Sequence, residues 1–100
     1  MLEQQLRFTI DCREAMFAGH FPGYPIVPGA FLLDQVIAQL CAAGVLPSAP
    51  IDIGSAKFVA TIAPDSEVHL AWQITVSGSC KFECSVLGRK VASGVLQAAE

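Results

Sequence analysis

Charge is what this chain most lacks. Asp, Glu, Lys and Arg make up 15% of its 100 residues, against 53% hydrophobic, and the formal net charge is −3. The six basic residues, Arg7, Arg13, Lys57, Lys81, Arg89 and Lys90, are scattered and build no basic stripe. A nucleic-acid-binding face is thereby excluded. Long unbroken apolar runs are missing too. The longest, Ala30 to Leu46, is interrupted by Asp34, Gln35, Gln39 and Gly44, so no spanning helix is predicted and no membrane partner is expected. The N-terminal MLEQQLRFTI has no basic head followed by an apolar core, which argues against a signal peptide. The four cysteines, Cys12, Cys41, Cys80 and Cys84, contain no CxxC pair. A disulfide framework is not expected, and the reading is cytoplasmic.

What is present is an apolar excess, with mean hydropathy +0.53. A chain this short supports one domain, residues 1–100, and leaves a large share of its surface in water. So apolar a composition predicts a buried subunit interface. Along the chain, Leu6, Phe8 and Ile10 alternate with polar partners and predict a strand over 5–11. Residues 12–29 carry Gly, Pro and His20 and read as loop. Ala30 to Ala43 is apolar nearly all round and rich in Ala and Leu, a helix ended by Gly44 and Pro47. A helix apolar on every face must be surrounded by protein.

Period two returns at Ala56, Phe58, Ala60 and Ile62, and more cleanly at Val68, Leu70, Trp72, Ile74 and Val76. Turns at Gly78-Ser79 and Gly88-Arg89 bracket Cys80, Phe82, Cys84 and Val86, before a last strand over 90–97. Short turns between successive strands predict an antiparallel meander. The fold class is therefore α+β, a curved antiparallel sheet around one long apolar helix.

The chemistry lies in GHFPGYPIVPGAFLLD, residues 19–34. A polyproline ligand over Pro22, Pro25 and Pro28 is disfavoured by the flanking Phe21, Ile26, Val27 and Phe31. A metal site from His20, His69, Cys80 and Cys84 lacks a recognised ligand spacing, and no cofactor is expected. Asp34, set among leucines in a helix read as buried, must be paired, hydrogen-bonded or protonated. These residues suit removal of water from a 3-hydroxyacyl thioester. His20 has the intrinsic basicity to take the C2 proton. A carboxylic acid kept out of water retains a proton to give to the departing hydroxyl, and Asp34 is the candidate. Backbone N–H groups at a helix start can steady charge on the thioester oxygen, and Gly29 permits close approach there.

The run His20-Phe-Pro-Gly-Tyr-Pro-Ile-Val-Pro-Gly29, followed by an apolar helix carrying Asp34, resembles the active-site motif of FabA/FabZ-type 3-hydroxyacyl-[acyl-carrier-protein] dehydratases. Ile53-Gly-Ser-Ala-Lys-Phe58, Ala63-Pro-Asp65, Phe82-Glu-Cys-Ser85 and Val91-Ala-Ser-Gly94 resemble that family as well. The resemblance implies the hotdog fold and dehydration to a trans-2-enoyl thioester in fatty-acid or polyene-type biosynthesis. It also implies an acyl-carrier-protein thioester as substrate, and a homodimer or higher even oligomer. By position it makes His20 the catalytic base, Asp34 the acid from the opposing subunit, and Gly29 the donor to the thioester carbonyl. Phe21, Ala30, Phe31 and Leu33 are then expected to contact the substrate. The family's helix glutamine falls four residues after the acid, whereas Gln39 falls five after Asp34 and Gln35 one after. The short chain is similar to dehydratase-like proteins of aryl-polyene clusters. A hotdog acyl thioesterase and a non-catalytic acyl-binding subunit are the competing readings; the former generally lacks the His-Phe-Pro-Gly-x-Pro loop.

Overall fold

The computed structural model describes residues 4–10, 29–47, 50–63 and 65–99. Strand β1 (Gln4–Thr9) precedes the helix α1 (Gly29–Ala42), and four strands follow: β2 (Ile51–Phe58), β3 (Glu67–Ile74), β4 (Cys80–Val86) and β5 (Arg89–Ala98). They form one five-stranded antiparallel sheet in the order β1-β3-β4-β5-β2. The predicted meander is β3-β4-β5, with β1 and β2 as the two edges.

Alternation decides which side chains meet, because residues paired across a ladder share a face. The register lines up Leu6, Leu70, Cys84, Ala92 and Phe58 in one row, and Trp72, Phe82, Gly94 and Ala56 in the next. Most of this inner face is buried against α1, whose Phe31, Leu32, Val36 and Leu40 join the same core cluster. Val36 and Leu40 are fully enclosed, and each such side chain contributes about 1.5–3 kcal/mol of apolar burial.

The helix stops where the sequence indicates. Gly44 takes φ +77°, its N–H donates to the Cys41 carbonyl, and the Val45 N–H reaches back to that of Leu40 at 2.9 Å. This pair of bonds is a Schellman cap, which needs a left-handed residue just beyond the last turn. The β4–β5 hairpin turns on Leu87 (φ 52°) and Gly88 (φ 79°), one position earlier than the Gly88-Arg89 pair indicates.

Two expectations are corrected. Strand β2 begins at Ile51 and ends at Phe58, whereas alternation alone marks Ala56 to Ile62. The reason is a bulge at Gly54: Ile53 pairs with Leu96 and Ser55 with Val95, both adjacent on β5. That extra residue shifts the parity, so Ile53 shares a face with Ala56 and Phe58 despite the odd spacing. The helix is also not enclosed on every side. Ala30, Asp34, Ala38 and Ala42 form an exposed stripe along α1, so Asp34 is not buried within its own chain.

Candidate active site

Gly29 opens α1, and Asp34 lies on the exposed stripe of the same helix, five residues on. A helix start gathers backbone N–H groups without intrahelical partners and the positive end of the helix dipole, a setting suited to an oxygen gaining negative charge. Gly29 is itself half-buried. A side-chain carbon built on it would meet the ring of Phe58 at 3.3 Å, so β2 closes against the helix start at this point.

Asp34 has no hydrogen bond or ion pair among the described residues. Around it the exposed stripe is otherwise alanine, with Leu33 and Ile37 half-buried alongside and packed against the core. The result is one carboxylate on a shallow face of small side chains. Phe31 turns the other way and is buried in the core, whereas Ala30 is exposed. Gln35 and Gln39 are both half-buried. At 3.6 residues per turn the five-residue offset carries Gln39 about 140° around the helix from Asp34. Ala38 stands four after the acid instead. His20 and Phe21 lie outside the described residues, so their distances to Asp34 and Gly29 are not part of this geometry.

The other polar groups collect on the opposite, outer face of the sheet. Glu67 lies 3.9 Å from Arg7 and 3.4 Å from His69, and Lys90 lies 3.4 Å from Glu83. Lys81, Lys90, Glu83, Gln73 and Ser93 line an open hollow of about 300 Å³ on that face. His69 pairs with Ser85 there, whereas Cys80 and Cys84 point inward, so the sheet itself separates His69 from the thiols. The described residues hold no cluster of His, Cys, Asp and Glu arranged for a metal ion. Burial pushes the Cys80 thiol up from its usual value and, with the charge of Glu83 adding to it, the Cys84 thiol to about 12. Neither thiol is a ready nucleophile at neutral pH. No helix among the described residues is long and apolar enough to cross a membrane.

One contact had no signal in the sequence. Phe58 reads there only as one apolar position in an alternating run, and its meeting with Gly29 depends on how β2 folds back beneath the helix start.

Comparison with known proteins bears on the same residues. A family model described as ApeI-like, ApeI dehydratase, matches residues 2–95. The 3-hydroxyacyl-[acyl-carrier-protein] dehydratase FabZ of Wolbachia sp. subsp. Drosophila simulans is 34% identical over 104 residues, covering 90% of this chain and 71% of its own. A chain from the dehydratase heterocomplex ApeI:P of Xenorhabdus doucetiae superposes with a TM-score of 0.76 at 21% identity, over 95% of this chain and 85% of that one. The fluoroacetyl-CoA thioesterase FlK superposes at 0.65 with 13% identity, over 95% and 82%. At such low identities the two structures establish the fold, a hotdog, and leave the chemistry to the sequence relationship.

Proposed function

The chain belongs to the ApeI-like dehydratase family, and from that premise we propose that it removes water from a 3-hydroxyacyl thioester on acyl carrier protein, leaving the trans-2-enoyl thioester. The observation that carries this reading is the match over residues 2–95, which spans the sequence from His20 to Gly29 and the helix with Asp34. The exposed stripe of α1 supports it, because a helix start and a carboxylate stand on one helix, with alanines along the rest of the stripe.

In the proposed reaction the His20 imidazole takes a proton from C2. The electron pair moves toward the thioester carbonyl, whose oxygen gains charge and is held by the Gly29 N–H. As the pair returns to form the C2–C3 double bond, the C3–O bond breaks and Asp34 delivers its proton to the departing hydroxyl. Water leaves, the imidazole is left protonated and the carboxylate ionised, and proton exchange resets both. Ala30, which is exposed, and Leu33, which is half-buried, are assigned to touch the acyl chain from the open side, and Phe21 is assigned to it by resemblance. Phe31, buried in the core, would act by shaping that wall from behind.

Asp34 needs a proton for this role, and in the single chain it stands exposed on the helix stripe. A second copy of the chain laid over the stripe would withdraw water from it, which favours the neutral carboxyl. The same copy would supply the histidine. Strand β2 supports such an assembly. It is a sheet edge with Ile53 and Phe58 about half exposed on its inner side, a surface that invites pairing with another strand.

Mass spectrometry of a 3-hydroxyacyl carrier-protein thioester before and after incubation separates the readings. A loss of one water supports the dehydratase, whereas release of free carrier-protein thiol is the thioesterase outcome. Binding without turnover would leave only an acyl-binding role. His20→Ala and Asp34→Asn are each expected to lower enoyl formation by roughly 10²-fold or more while the chain stays folded. Wild-type turnover in either variant would remove that residue from the mechanism.

A further inference from the structure

The first residue of α1 and the last of β2 meet face to face. A carbon built as the Gly29 side chain would lie 3.3 Å from Cδ1, Cδ2 and Cε1 of Phe58 alike. Equal distances to both sides of the ring mean that it would point at the ring's face and not its edge. The backbone at this end of β2 is fixed by the sheet, where Phe58 pairs with Ala92 and the Val59 N–H donates to the Val91 carbonyl at 2.9 Å. Its neighbour in the row, Ala92, is small and buried on the same face of the sheet. Even so, Phe58 remains 46% exposed. A side chain placed only to fill the core would be covered, as Phe8, Phe31 and Phe82 are. This one meets the helix start with one face and leaves apolar surface open beside it.

We propose that Phe58 is a positioning residue for the reaction, an inference that rests on the dehydratase reading above. Its ring sets the height of the first turn of α1 over β2, and so fixes where the Gly29 N–H meets the thioester oxygen. The absence of a side chain at 29 is then required twice, by the substrate on the open side and by the ring on the sheet side. A donor displaced by a fraction of an ångström loses most where charge develops, in the transition state, and less in ground-state binding. The consequence belongs in kcat more than in KM.

The test uses the full chain in steady-state assays of enoyl formation, with thermal unfolding followed in parallel. Phe58→Ala is expected to lower kcat about tenfold with KM changed less than threefold, and Phe58→Tyr, which keeps the ring face, to recover most of that loss. Gly29→Ala is expected to push the ring outward by a few tenths of an ångström and to lower Tm. In the Phe58→Ala background the same substitution should lower Tm by less than half as much, because the obstructing ring is gone. Additive Tm effects would overturn the contact, and that readout stands even if the wild-type chain forms no enoyl product, which would instead defeat the dehydratase reading. A Phe58→Ala kcat within twofold of an active wild type would overturn the positioning role. So would a tenfold fall that Phe58→Leu, matched to wild type in Tm, restores in full, because apolar volume alone would then suffice.

Discussion

Cys84 is the residue whose surroundings change its chemistry most clearly. The alternation of Cys80, Phe82 and Cys84 in the sequence places both thiols on the apolar side of a strand, and the structure buries both. In the folded chain the Cys84 thiol is pushed up to about 12 from 9.0, first by burial and then by Glu83. The unfolded chain therefore loses that proton first, so it binds fewer protons than the native state above pH 9. Stability from this group is complete below pH 9 and falls as pH rises from there toward 12. Urea midpoints measured at pH 7.5 and pH 10 should drop across that interval, and Cys84→Ala should shrink the drop while lowering the baseline by about 1 kcal/mol through lost packing. An unchanged slope in the variant would mean that other groups carry the alkaline loss. Asp34 was less legible. Its apolar neighbours in sequence suggest burial, but the helix turns Phe31, Leu32, Val36 and Leu40 inward and leaves the aspartate on a stripe of alanines on the outside.

At the scale of elements, the sequence pattern marks α1, its cap and the meander because each depends on neighbours within a few positions. Strand β2 is where that reasoning fails. A single inserted residue at Gly54 reverses which side chains face inward, and a strand read by parity alone loses its first half. Gly94 is a comparable case from β5. Nothing nearby in sequence requires a glycine there. In the sheet, a side-chain carbon would run into the Ser55 carbonyl on one side and sit 2.9 Å from the Phe82 ring on the other. Neither backbone nor an enclosed ring can yield cheaply, so Gly94→Ala should cost about 3 kcal/mol or prevent folding. Chemical denaturation of the variant measures this directly, and a loss below about 0.5 kcal/mol would mean that β2 and β5 separate more easily than their register implies.

For the whole molecule, the apolar excess in the composition has a location. It lies partly in the core and partly along β2, where Ile53, Phe58 and the adjoining Val59 are close to half exposed. The sequence predicts a partner surface, but the exposed edge proposed for it here could not be read there, because strand order depends on pairings between distant segments. Ile53→Lys places a charge on that edge and is expected to convert a two-chain species into a single chain in light scattering. Enoyl formation should fall with it by tenfold or more, because Asp34 would return to water and lose the opposing His20. A variant that keeps both its mass and its turnover would place the interface elsewhere.

The proposed reaction depends most on one geometry, a histidine from one chain and an acid from another acting on the same substrate. Mixing the inactive His20→Ala and Asp34→Asn chains under conditions that allow subunit exchange tests it most directly. Half of the randomly formed dimers would then be mixed, each with one intact pair, so turnover should recover to roughly a quarter of wild type. A mixture as inactive as its two components, with exchange verified by native mass spectrometry, would contradict the shared site.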